Sequence, residues 1–185
     1  THKLLAALSQ ASFLHIRDGR SAIPHSRFNE SYMLHASTSP LYTIIVSNDV
    51  TAAMMDGPGG PTMTQEVIDE AVACRQAVAR IREEFRAKGD WFFAPWNADE
   101  VKDPKTGRKI PFHKAPAELL ATDPDCWVLH PGESWHGFEG LPDGWCLLDP
   151  IKFGIVCPGM KPDGKLDEHG IPGDLVTAYL TRNGT

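Results

Sequence analysis

The chain has 185 residues, of which 42% are hydrophobic and 23% are charged, as in an ordinary soluble globular protein of one or two domains. A formal net charge of −6 gives no electrostatic basis for binding nucleic acid or an anionic membrane. No apolar run approaches the roughly 20 residues that a membrane span requires.

The chain begins at Thr1, without an initiator Met or the basic and apolar regions of a signal peptide, so we expect a piece of a longer cytoplasmic protein. The four cysteines, Cys74, Cys126, Cys146 and Cys157, lack any CxxC spacing and are expected to be free thiols in a reducing cytosol. The eight histidines show no HExxH or HxH pattern, and no metal site is expected.

The first third of the chain predicts one strand and two helices. Residues 11–16 are apolar and precede a turn signal at Asp18, which predicts a buried strand. A helix is predicted over residues 27–34. A second helix is predicted to start at Ser39, as a hydroxyl cap before a proline, and to continue to Asp56.

A run of glycines and prolines at residues 57–61 is the clearest break in the sequence. Thr62 and Gln65 after it have the spacing of a capping box. Apolar residues then recur at helical spacing, which predicts a long helix that stops at Gly89.

The remainder predicts short strands between loops. Residues 103–107 are typical of an exposed turn between two edge strands, and further strands are predicted at 126–129 and 145–156, the second interrupted at Asp149. A last helix is predicted over residues 171–184. Strands mixed with helices indicate an α/β fold.

Lys3 is the residue whose chemistry is most suggestive. Desolvation lowers the pKa of a lysine, and Leu4 and Leu5 supply apolar neighbours. Such a lysine near a terminus is more commonly a solvated surface residue, so its chemistry alone does not identify a function.

Several motifs along the whole chain strengthen the case for Lys3. They are THKLLAALSQAS at 1–12, HASTSPLY at 35–42, WFF at 91–93, HPGESWHGF at 130–138, LDPIK at 148–152 and PGM at 158–160. Together they resemble the bacterial ornithine/lysine/arginine decarboxylases, whose Ser-Thr-His-Lys motif matches here except for the leading Ser. Residues 96–97 and 101–107 are most similar to the biodegradative arginine decarboxylase branch.

The resemblance implies an α/β fold of the aspartate-aminotransferase type (fold type I). Residues 1–66 would then be the C-terminal part of the pyridoxal-phosphate-binding large domain. Residues 67–185 would form the small domain, incomplete at its C-terminus.

The resemblance also implies pyridoxal 5'-phosphate as the cofactor, with Lys3 as the catalytic Schiff-base lysine. His2 would lie against the cofactor phosphate, although it could simply be a packed histidine. Ser37 would reach the phosphate of the neighbouring subunit's cofactor. Thr is common at that position in relatives, and the serines there could equally cap a helix.

The implied reaction is decarboxylation of arginine to agmatine, with lysine or ornithine as alternative substrates. An inactive fragment or oligomerisation module is the different-class alternative, and transamination on the same fold is a third. A homodimer is expected, and a decamer is possible through a separate N-terminal domain. Polyamine synthesis and acid resistance are the associated processes.

Two motifs keep open interpretations. Glu133, Trp135 and His136 suit either a functional cluster or a turn that packs on a sheet. The segment from Asp149 to Lys152 is better explained as a strand kink with an ion pair than as a functional site.

Overall fold

The structure is a computed structural model, and it describes residues 7–8, 13–36, 39–161 and 163–184. The chain divides into two compact units, Thr1–Met63 and Thr64–Thr185. This boundary lies three residues before the predicted one at 66/67. The assignment of the units to a large and a small domain stays a prediction.

Two helices of the first unit follow the sequence prediction. Helix α1 spans His25–His35 and helix α2 spans Tyr42–Asp56. The predicted cap at Ser39 is wrong, because Leu41 is the residue before the first turn and its carbonyl oxygen accepts the first helical hydrogen bonds. The helix therefore begins without a side-chain cap.

The strand predicted at 11–16 does not form in its described part, residues 13–16. Phe13, Leu14 and Ile16 are 48%, 67% and 49% exposed. A strand needs a neighbour to satisfy its backbone groups. The described residues of the first unit contain no other strand to supply one.

Helix α3 spans Gly59–Arg86 and therefore begins before Thr62, so the predicted capping box is wrong. Pro61 is tolerated inside the first turn, where a helix has no acceptor for its N–H groups. The predicted stop is confirmed: Gly89 has φ +77° and a hydrogen bond from Asp90 N to the Phe85 carbonyl closes the end.

Strands β2 (Glu100–Lys102) and β3 (Lys109–Pro111) form the predicted antiparallel hairpin, with Val101 opposite Ile110. In its turn, the Asp103 carboxylate accepts hydrogen bonds from the Thr106 hydroxyl at 2.7 Å and the Lys105 N–H at 2.8 Å. These bonds hold the pKa of Asp103 below its usual value.

The strands predicted at 126–129 and 145–156 form only in part. Strand β4 (Ile155–Val156) pairs antiparallel with β1 (Ala94–Pro95), and a single bridge joins Val128 to Leu147. A 3-10 helix at Pro124–Trp127 replaces the start of the first strand, because the Asp123 carboxylate accepts the Asp125 N–H.

The core of the second unit lies between α3 and the loops that follow it. Its buried apolar side chains are Val72, Ala79, Val101, Phe112, Ala115, Leu120, Trp127, Leu129 and Leu148. Phe112 and Trp127 contact edge to face at 5.9 Å, and the Trp127 indole donates to the Leu120 carbonyl at 2.8 Å. Its polar atom is therefore satisfied inside the core.

Three short helices complete the second unit: a 3-10 helix at Phe112–Lys114, helix α4 (Ala117–Thr122) and helix α5 (Gly173–Arg182). Helix α5 confirms the prediction of a last helix that ends before Gly184. The mixed helices and strands agree with an α/β fold. Among the described residues, no helix has the length and apolar character to cross a membrane.

Candidate functional site

The three residues predicted to hold the cofactor, Lys3, His2 and Ser37, lie outside the described residues. Their predicted roles are therefore taken from the sequence alone. The described residues that follow Lys3 most closely are Ala7 and Leu8.

Leu8 contacts helix α2. Ala7 is buried, and the Leu8 N–H donates a hydrogen bond of 2.7 Å to the Ser47 hydroxyl. Thr51 lies one turn later on α2 and donates to the Ser47 carbonyl at 2.8 Å. Leu8 is thus bound to a polar face of α2.

Asn48 adds an unusual feature to this face of α2. It is 8% exposed, and its Oδ1 atom has no hydrogen-bond partner among the described residues. A buried amide oxygen without a donor is costly, by about 1–3 kcal/mol. The Asn48 side-chain oxygen is therefore available to accept a hydrogen bond at this part of α2.

The second unit contains a polar groove of about 830 Å³, a size that suits a small ligand. Helix α3 contributes Ala79, Arg82, Glu83 and Arg86 to it. The hairpin and the residues beside it contribute Pro95, residues 97–100, Lys109 and residues 111–114. A later loop contributes residues 133–135. Both positive and negative side chains line it.

Three carboxylates of the polar groove have basic partners. Asp99 lies 2.7 Å from Arg82, and 3.6 Å separates the partners in both Glu83–Arg86 and Glu100–Lys109. Glu133 is the exception among the carboxylates of the groove, since no lysine or arginine of the described chain lies within 4 Å of its oxygens.

Glu133, Trp135 and His136 form a cluster that we call the Glu133 site. The Trp135 indole donates to Glu133 Oε2 at 2.9 Å, and His136 Nε2 lies 3.7 Å from the same oxygen. Trp135 also contacts Trp96 edge to face at 5.2 Å. The hydrogen bond from Trp135 therefore orients one carboxylate.

The hydrogen bonds of His136 fix which ring nitrogen carries the proton. The Phe138 N–H donates to Nδ1 at 2.9 Å, so Nδ1 accepts and the proton of the neutral ring lies on Nε2. The side chain is fully buried and Nε2 has no hydrogen-bond partner among the described residues. The Nε2–H of His136 is therefore unpaired, and Glu133 Oε2 lies 3.7 Å from it.

Arg75 on α3 is fully buried and holds two loops of the second unit. It donates to the carbonyls of Pro150 at 2.9 Å, Lys152 at 2.6 Å and Trp96 at 3.3 Å, and to Asn97 Oδ1 at 3.2 Å. Loops distant in sequence are thereby joined to one helix.

The guanidinium of Arg75 also lies over two aromatic rings, 5.3 Å from the centroid of Trp127 and 5.1 Å from that of Phe153. Burial lowers the pKa of Arg75, and the nearby Asp149 opposes that shift. This role of Arg75 was not predicted from the sequence. A signal was present, because Arg75 falls in the apolar stripe between Val72 and Ala79.

The segment from Asp149 to Lys152 is structural, as predicted, but the predicted ion pair is wrong. Asp149 instead accepts the Ile151 N–H at 3.1 Å, which shapes a turn. The turn presents the Pro150 and Lys152 carbonyls to Arg75.

All four cysteines are free, and they differ in surroundings. Cys74 is exposed, whereas burial, with Asp123 and Asp125 nearby, raises the pKa of Cys126 to about 11. Cys126 is therefore an unreactive thiol at neutral pH. In the part of the chain that the structure describes, no group of three His, Cys, Asp or Glu side chains could hold a metal ion.

Comparison with known proteins gives consistent results along the whole chain. A family model described as "Orn/Lys/Arg decarboxylase, major domain" matches residues 1–185, and so covers both units. The biodegradative arginine decarboxylase of Escherichia coli K12 is 61% identical over 184 residues, which are 100% of this chain and 24% of that protein.

A lysine decarboxylase of Pseudomonas aeruginosa is 41% identical over 185 residues, 100% of this chain and 22% of that protein. The solved structure of the Escherichia coli constitutive lysine decarboxylase superposes with a TM-score of 0.70 at 36% identity, covering 100% of this chain and 22% of that one. The chain thus spans about a quarter of the length of these relatives.

Proposed function

The chain belongs to the Orn/Lys/Arg decarboxylase family, and from this premise we propose that the full-length protein decarboxylates arginine to agmatine. The observation that carries the proposal is the contrast in identity. It is 61% with the biodegradative arginine decarboxylase and 41% with a lysine decarboxylase over the same residues. Lysine and ornithine are the alternative substrates.

Pyridoxal 5'-phosphate is the proposed cofactor, bound covalently by Lys3 in a fold of type I. When bound, it would supply the electron sink that decarboxylation requires. His2 would contact its phosphate, and Ser37 would contact the phosphate in the neighbouring subunit. The hydrogen bond between Leu8 and Ser47 supports this, because it binds a residue five positions after Lys3 to helix α2.

The proposed role of Ser37 makes the protein at least a homodimer, and a decamer is the larger assembly that family resemblance suggests. Support comes from apolar side chains that α1 and α2 expose, among them Tyr32, Met33, Ile45 and Val50. Decarboxylation consumes one proton for each amine released. That stoichiometry suits a cytoplasmic enzyme of acid resistance or polyamine synthesis.

The direct test is product analysis of the full-length protein with cofactor and arginine. We expect agmatine and carbon dioxide in equal amounts, and no product from the Lys3→Ala variant. If cadaverine from lysine or putrescine from ornithine formed faster than agmatine, the preferred substrate would be lysine or ornithine instead of arginine.

The same experiment distinguishes decarboxylation from transamination and from an inactive oligomerisation module. An arginine-derived keto acid would indicate transamination. No turnover of any basic amino acid by cofactor-loaded protein would favour the oligomerisation module. The matched control is Lys88→Ala, which removes an exposed lysine outside the predicted cofactor site.

A further inference from the structure

We propose that Glu133 is a recognition site for a cationic nitrogen, an alkylammonium or guanidinium group, bound through its free oxygen Oε1 in the polar groove. This inference does not depend on the decarboxylase activity proposed above. It starts from the Glu133 site, whose sequence alone suits chemistry and packing equally.

The first step is the charge of the groove. Its other carboxylates, Glu83, Asp99 and Glu100, each have an arginine or lysine within 4 Å, whereas Glu133 has none among the described residues. The side chain of Glu133 is 36% exposed, and a carboxylate without a cation in contact keeps much of its charge unneutralised. No lysine or arginine of the groove therefore contacts this carboxylate.

The second step is the orientation of the carboxylate. The indole N–H of Trp135 is bound to Oε2, and His136 Nε2 lies 3.7 Å from the same atom without a hydrogen bond. The indole holds Oε2, so Oε1 is left to accept from a ligand. Fixing a charged acceptor in advance lowers the cost of binding a donor.

The third step is the buried N–H of His136. Because Nδ1 accepts the Phe138 N–H, a flip of the ring that moved Nε2 would lose that bond, so Nε2 stays 3.7 Å from Glu133 Oε2. An unpaired buried N–H is costly. A small shift of Glu133 would pair it, so a ligand that holds Glu133 in the shifted position gains that hydrogen bond as well.

A cationic N–H donor is the ligand class that fits these features. It pairs with a carboxylate through a charge-assisted hydrogen bond, about twice as strong as a neutral one. Two sources share this chemistry: a free basic amino acid or amine, and a Lys or Arg side chain from another part of the full-length protein.

The test for a free ligand is equilibrium dialysis of full-length protein against labelled agmatine. Glu133→Gln keeps an oxygen acceptor for Trp135 but removes the charge, and should weaken one class of binding sites about tenfold, which corresponds to about 1.4 kcal/mol. Trp135→Phe should weaken it less, because the charge stays and only its orientation is lost. Glu100→Gln, whose carboxylate is already paired with Lys109, should bind as wild type.

The test for a side-chain source is amide hydrogen exchange of residues 130–138 in the same proteins. One outcome assigns the cation to the protein itself. In it, the exchange rate of these residues rises several-fold at low salt in Glu133→Gln but not in Glu100→Gln, and agmatine binding is unchanged. If Glu133→Gln changes neither agmatine binding nor exchange, the proposal is overturned. If the full-length protein produced no agmatine but still bound it in a way that depends on Glu133, only the proposed decarboxylase function would be overturned.

Discussion

The two units of the chain bury their residues very differently. Among the described residues of the first unit, Ala7 is the only buried hydrophobic side chain, whereas nine form a continuous core in the second. Helix α2 carries an apolar sequence but exposes much of it, as at Ile45 and Val50. A helix can therefore form where its sequence predicts, while the surface that covers it is supplied from elsewhere in the protein.

The second unit owes its organisation to one polar residue as much as to its apolar ones. Arg75 donates to four oxygens from two separate loops, and no apolar side chain could satisfy them. In the first unit, the comparable polar residue, Asn48, has an unpaired oxygen among the described residues. The second unit therefore supplies the hydrogen-bond partners of its own buried polar residue, whereas the described part of the first unit does not.

The largest expected effect follows from removing Arg75. We expect Arg75→Met to destabilise the second unit by about 3–5 kcal/mol, because one buried and three part-buried acceptors lose their charged donor. Amide hydrogen exchange of the full-length protein should show this in α3 and in residues 149–153.

The control for Arg75 is Arg82→Met on the same helix, which breaks the exposed ion pair with Asp99. It should cost about 1 kcal/mol or less. Equal effects of the two substitutions would show that Arg75 does not organise the second unit.

A smaller effect tests the contrast between the units directly. Leu120 is 1% exposed, so Leu120→Ala should cost about 2–5 kcal/mol by leaving a cavity. Ile45 is 49% exposed, and Ile45→Ala would cost about 0.5 kcal/mol or less if that surface faced water. In the full-length protein we expect a cost of about 2 kcal/mol, because other parts cover α2.

The measurement is again amide hydrogen exchange, read in α4 for Leu120→Ala and in α2 for Ile45→Ala. A change at Ile45 that stays within about 0.5 kcal/mol of wild type would mean that α2 is a solvent-facing helix. That result would remove the reason for expecting other parts of the protein to pack on the exposed apolar side chains of α2.

Helices and the hairpin were predictable because their signals are local. The period of apolar residues identified α3, and the Asp103 turn identified the hairpin between β2 and β3. The errors arose where a distant partner decides the structure. Residues 13–16 have a strand-like sequence but no neighbouring strand among the described residues. A different, local error concerns residues 126–127, which lie in a 3-10 helix capped by Asp123.

The candidate site divides in the same way. The lysine motif was readable from sequence, because its residues are adjacent and resemble a known pattern. The Arg75 contacts were not, since they join residues about 75 positions apart. The tautomer of His136 depends on the Phe138 N–H, which is a matter of geometry and not of residue type.

The central claim, that Lys3 binds the cofactor, is tested most directly by borohydride reduction of the full-length, cofactor-loaded protein. Reduction makes the link between lysine and pyridoxal phosphate permanent, and peptide mapping then locates it. We predict the added mass on the peptide that contains Lys3, and none there in Lys3→Ala. The added mass on a different lysine, or on none, would contradict the account.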